Sequence, residues 1–189
     1  MTAFLLLLAI SVPPAERRCV TGETHTLSAD QPRQWSRGTV LAALAVNTGG
    51  KVPAPDAFDA ASLVIHFNGE VLKEGADYVV DKGWGTIGLV KGGRVTTSDT
   101  VSIDYCHSTR RLDLLVRDAR GQEQVIAGTP ALTDPLPPAT PAGARAVAHL
   151  YTTYFSDGRT PDVFPLLEAA AKGKTASAKG RLPKAMAKL

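Results

Sequence analysis

Apolar and polar positions alternate with a period of two through the middle of the chain. In Asp99–Cys106, Val101, Ile103 and Tyr105 fall on one face and Ser102 and Asp104 on the other, which predicts a half-buried strand. Arg110–Ala119 repeats the pattern, with Leu112, Leu114 and Val116 against Asp113, Leu115 and Arg117. Ser62–Phe67 is a short apolar run closed by Asn68-Gly69, a two-residue hairpin signal. Tyr78–Asp81 and Gly85–Val90 predict two further strands, and Arg117–Gly128 predicts a hairpin turning at Ala119 to Gly121. Upstream, Cys19–Ser28 is rich in Thr and Val and suits a strand. Thr39–Asn47 mixes helix-favouring alanines with strand-favouring ends and is read as a strand, and residues 48–61 are read as a loop. Gly128–Ala144 carries five prolines and is an extended crossing. Arg145–Phe155 is a further apolar strand.

Closely spaced strands without long helices between them predict a mainly β fold: an antiparallel sandwich or barrel-like domain with short C-terminal helical segments. Thr160 is placed to cap a short helix with Pro161 at its first position and Gly173 past its end. Leu182, Met186 and Leu189 have the spacing of an amphipathic helix. The expected organisation is a candidate signal peptide over residues 1–15, an antiparallel β domain over 16–156, best defined over 60–156, and a helical, basic linker over 157–189 leading towards a further domain.

Charge and termini sharpen this division. No acidic residue follows Glu168, whereas Lys172, Lys174, Lys179, Arg181, Lys184 and Lys188 leave 15 of the 21 basic residues to balance 18 acidic ones elsewhere. No aromatic residue interleaves these lysines, so a solvated linker is preferred to a nucleic-acid site. The apolar run Ala3–Val12 has signal-peptide length and is too short to span a bilayer, which predicts export and no transmembrane segment. Cys19 and Cys106 either form one disulfide, as export would permit, or remain two buried thiols.

Candidate chemistry is sparse. There is no G-x-S-x-G, no H-E-x-x-H and no C-x-x-C, so no catalytic residue, metal site or cofactor is expected. His66 and His149 alternate with apolar neighbours and read as sheet-face histidines, and adjacent His107 and Ser108 point to opposite faces of a regular strand. Arg111 and Asp113 share a face and can pair. Trp35, Tyr78 and Trp84 are the candidate binding residues, since aromatic rings on one face could form a glycan platform.

Several motifs together resemble a known family. They are Asp77-Tyr78, Trp84-Gly85-Thr86, Asp104-Tyr105 followed by Arg111-Leu112-Asp113, and Gly128-Thr129-Pro130 before the proline-rich crossing. They resemble the N-terminal β accessory region of exported bacterial SGNH/GDSL-type hydrolases, over roughly residues 60–189. The hairpin portion is also similar to phage tail and fibre proteins. The resemblance implies an esterase-class hydrolase as partner, in cis or as a separate chain. It supplies no catalytic residue, because the Gly-Asp-Ser block of that family would follow Leu189. The function expected is a non-catalytic module that packs against or positions the hydrolase domain. The alternatives are a stand-alone module binding glycan or cell surface, and a structural piece of a tail or adhesion assembly.

Overall fold

The computed structural model describes residues 12–32, 38–46 and 52–166. These residues form a mainly β structure of three antiparallel sheets, and no closed barrel occurs among them. In chain order the strands are β1 (Arg17–Thr26), β2 (Thr39–Val40), β3 (Phe58–Phe67), β4 (Glu70–Val71), β5 (Tyr78–Asp81), β6 (Thr86–Leu89), β7 (Thr100–Ser108), β8 (Arg111–Arg117), β9 (Glu123–Ile126), β10 (Arg145–Thr152) and β11 (Asp162–Pro165). The first sheet has the order β1-β7-β3-β4, the second β11-β10-β8-β9 and the third β2-β6-β5.

The alternation in β7 decides where the main core forms. Val101, Ile103 and Tyr105 are buried and pack with Ile65 and Phe58 of β3, Tyr78 of β5, and Ile87 and Leu89 of β6. One core thus joins the first and third sheets. Asn68 and Gly69 both have positive φ, 51° and 82°, which is the twist that a two-residue hairpin between β3 and β4 requires. Gly85 is needed for a different reason. Its φ is +62°, and a Cβ there would lie 2.3 Å from Leu44 Cδ1.

β7 runs into β8 with only Thr109 and Arg110 between them. β7 is central in the first sheet and β8 is central in the second, so one nearly continuous run of chain serves both sheets. The second sheet has its own smaller core of Leu115, Ala148 and Leu150, capped by Val12.

Three expectations are corrected. Asp162–Pro165, expected at the start of a helix, is strand β11, antiparallel to β10. Its Val163-Phe164 centre favours an extended backbone, and Pro165 cannot sit inside a helix. The remainder of that expected helix, and Leu182–Leu189, lie outside the described residues. Thr39–Asn47 holds only the two-residue β2 before a 3-10 turn at Ala42–Leu44, with Asn47 outside the described residues. β3 begins at Phe58 and not at Ser62, because a bulge between Asp59 and Val64 lets the strand continue back along β7.

Cys19 and Cys106 are paired as a disulfide between β1 and β7. Among the described residues no helix is long and apolar enough to cross a membrane. Residues 1–11 of the candidate signal peptide lie outside the described residues, and residues 12–15 are described.

Candidate functional site

Of the three aromatic residues considered for a platform, the two that are described do not form an exposed face. Trp35 lies outside the described residues. Tyr78 is buried in the main core, where burial raises its phenol pKa. Trp84 is half-buried in the turn joining β5 to β6, its backbone N–H donating to Asp81 Oδ1 at 3.2 Å.

The neighbour of Tyr78 has a structural task. Asp77 is buried and accepts from Arg94 Nε (3.0 Å), Arg94 Nη2 (2.7 Å), Lys73 N (2.8 Å) and Arg94 N (3.2 Å). These bonds hold its carboxyl well below the usual carboxylate range, with the Arg94 side chain the main cause. The Asp-Tyr step is therefore a clasp between the turn before β5 and the Gly92-Gly93 loop. A cavity of about 510 Å³ lies beside it, but the Arg94 guanidinium is already bonded to Asp77, Glu70 and the Val71 carbonyl.

Serine, histidine and aspartate do meet at one place that the sequence did not advertise. On the outer face of the first sheet His66 Nε2 lies 3.5 Å from Asp104 Oδ2, and Ser102 is the direct strand partner of His66. Asp104 Oδ1 accepts Gly22 N at 2.7 Å. Ser102 makes no hydrogen bond to His66 among the described residues. In a sheet the backbone N–H groups lie in the plane of the strands, perpendicular to the side chains, and the nearby Gly22 N–H is already spent on Asp104. The arrangement therefore lacks the donors that would stabilise an oxyanion. His107 and Ser108 also stay apart. His107 is on the core side of β7, and Ser108 Oγ accepts Phe155 N at 3.0 Å. Burial lowers the His107 pKa. No group of three or more His, Cys, Asp or Glu among the described residues could hold a metal ion.

The surface best suited to recognition is on the β10–β11 hairpin. Val163, Phe164 and Leu166 are all exposed: Val163 and Phe164 lie on opposite faces of the edge strand β11, and Leu166 follows directly after its end. Phe164 stands beside His149, and Tyr151 is on the same face two residues on. Arg110 lies at the end of this surface: its guanidinium carbon is 4.3 Å over the Tyr154 ring. Tyr154 in turn donates its hydroxyl to the Leu132 carbonyl.

No protein-family model, curated protein or solved structure matches this chain.

The electrostatics of the hairpin surface follow from its partial burial. Burial raises the Tyr151 phenol against the pull of Arg110, and pushes Tyr154 up to about 12. Burial also lowers His149. The surface thus presents neutral aromatic groups, aliphatic side chains and the guanidinium of Arg110, with exposed Asp162 beside Tyr151. Aromatic residues and arginine are the types enriched where protein surfaces meet. Sequence reasoning took Arg145–Phe155 only as an apolar strand. The spacing of Tyr151 and Tyr154 is not a strand period, and Arg110 comes from about forty residues upstream, so only the fold brings them together.

Proposed function

We propose that this chain is a non-catalytic β module of an exported SGNH/GDSL-type hydrolase of the esterase class, and that it packs against or positions the catalytic domain. The observation that carries the reading is exposed Phe164 of β11 on the face it shares with His149 and Tyr151, with Arg110 beyond and exposed Leu166 directly after the strand. The Cys19–Cys106 disulfide supports an exported location.

The sheet edges favour this reading over a self-assembling tail or adhesion piece, which would need open edges. β1 is broken by a bulge between Val20 and Glu23, β4 is two residues long, β9 begins with Glu123 paired to Arg117, and β11 is bracketed by Pro161 and Pro165. Each device discourages strand addition. The side chains of β11, and not its backbone edge, are then the means of contact. A glycan platform built on Tyr78 is disfavoured by the burial of that ring.

The test combines sequence and assay. The coding DNA beyond the Leu189 codon is read in all frames for a strand ending in Gly-Asp-Ser, and residues 1–189 are assayed on p-nitrophenyl acetate. The reading expects such a frame and a blank assay. Absence of the frame takes away the main support for the hydrolase reading, and turnover by the chain itself overturns the non-catalytic role. With a hydrolase domain in hand, Phe164→Asp should weaken association at least tenfold, an ordinary loss for an interface anchor.

A further inference from the structure

Residues 12–20 form a strap laid across both sheets, and its attachments are mostly polar, among them Val12 N to Gly158 O at 3.3 Å and Arg17 Nη2 to Asp59 Oδ2 at 2.7 Å, with Val20 packed against the main core. Val12 caps the small core of the second sheet. The Pro13 and Pro14 carbonyls accept from Arg111 Nη2 (2.6 Å) and Nη1 (3.3 Å). Glu16 O accepts Thr109 N at 3.1 Å, and Ala15 N donates to Ser156 O at 2.8 Å. From Arg17 the strap becomes β1, an edge strand whose one neighbour is β7. Its first pairs are Arg17 with Ser108, Arg18 with His107, Cys19 with Cys106 and Val20 with Tyr105. The bulge and Gly22, at φ +69°, come next. Beyond the bulge the strand is pinned again, because Glu23 accepts Tyr105 Oη at 2.7 Å and Ala42 N at 2.8 Å.

The disulfide sits in the middle of the weakly held half. Cys19 is exposed on the outer face, whereas Cys106 is buried. We propose that Cys19–Cys106 is a reducible lock on this strap, and that a dithiol reductant releases residues 12–20 about the bulge while the three sheets stay folded.

In the reaction a thiolate of the reductant attacks the sulfur of the exposed residue Cys19. The Cys19–Cys106 bond breaks, Cys106 leaves as a thiolate and takes up a proton, and a mixed disulfide forms on Cys19. The second thiol of the reductant displaces Cys19 as a thiol and closes the reductant's own disulfide. Two electrons pass from the dithiol to the cysteine pair. Release uncovers Leu115, Ala148 and Leu150, strips two carbonyl acceptors from the buried Arg111, and opens the β7 edge over residues 105–108. This device is independent of the partner reading above.

Arg17 and Arg18 lie within the strap and provide the probe. The 189-residue chain is treated with trypsin before and after reduction by dithiothreitol, and cleavage after Arg17 or Arg18 is followed by mass. Thiol titration confirms reduction, and amide exchange in β3 and β10 reports on the rest of the fold. Cleavage should accelerate at least tenfold on reduction, with β3 and β10 still protected. Reoxidation should restore slow cleavage, and the Cys19→Ser/Cys106→Ser protein should behave as the reduced form. Unchanged cleavage after complete reduction would show that hydrogen bonds alone hold the strap. Loss of protection in β3 and β10 would show that the disulfide staples the whole fold. Either result overturns the lock.

Discussion

Replacing Asp113 by Ala should be among the most damaging single changes in the second sheet. Asp113 is fully buried and accepts Arg111 Nε at 2.6 Å, Arg111 Nη2 at 3.1 Å and Gly128 N at 2.8 Å. The alanine leaves a guanidinium, itself only 7% exposed, without its counter-charge, and leaves the Gly128 N–H without an acceptor. Breaking a buried pair from one side costs about 3–5 kcal/mol. Urea unfolding followed by circular dichroism, with a slope of about 2 kcal/mol per molar, should show the midpoint falling by about 2 M. Glu123→Ala is the control. It breaks the Arg117–Glu123 pair, whose side chains are 41% and 39% exposed, and should cost about 1 kcal/mol or less. Arg111→Met with Asp113→Leu should recover most of the loss but not all of it, since Gly128 N stays unpaired at a cost of about 1–3 kcal/mol. If Asp113→Ala and Glu123→Ala shift the midpoint equally, with unchanged slope, burial is not what gives this pair its weight.

Gly85→Ala should destabilise by about 1–3 kcal/mol, measured in the same urea titration, because its Cβ would meet both Leu44 Cδ1 and the Phe58 ring at a positive φ. Phe155→Gly should instead raise the melting temperature by a few degrees, a gain of about 1 kcal/mol, since Phe155 holds φ +55° while 44% exposed; a fall would show that its ring packing outweighs the backbone strain. Burial depresses His107 and His149, so the unfolded chain binds more protons near their ordinary pKa. Their contribution to stability is complete above about pH 6.5 and is lost as pH falls through the lower folded-state values. Thermal melts from pH 8 to pH 5 should show this decline, and replacing both histidines by Gln should flatten it.

What was legible in the sequence was local. Asn68-Gly69 has the φ pair that its dipeptide announces, and the alternation of Val101, Ile103 and Tyr105 is the core face of β7. The Arg111–Asp113 pairing could be read from spacing, but its burial could not, since nothing in the strand says that Val12–Ala15 will lie over it. The disulfide depends on register between segments 87 residues apart. β11 was hidden because Pro161 suits the first turn of a helix as well as the start of a strand, and four residues are too few for a period to show. The hairpin surface was out of reach for the same reason as the disulfide: Arg110 and Tyr154 meet only after β8 and β10 have paired.

The passage of β7 into β8 explains why so many polar side chains are buried there. A strand that changes sheets loses its ladder partners at the crossing, and its backbone groups must find others. Ser108 N donates to Ala57 O, Thr109 N to Glu16 O, and Arg110 exchanges both bonds with Ala131. Phe155 N is satisfied by Ser108 Oγ, and Gly128 N by Asp113. Four separate stretches of chain therefore close on this crossing, and neither sheet can open there without breaking bonds that belong to the other. The first and second sheets should accordingly unfold as one unit. Native-state amide exchange gives the check: Ile65 in β3 and Leu150 in β10, both fully buried, should report the same opening free energy and the same dependence on urea. A lower value confined to β8, β9, β10 and β11 would mean that the second sheet opens alone, and that the crossing is a hinge and not a joint.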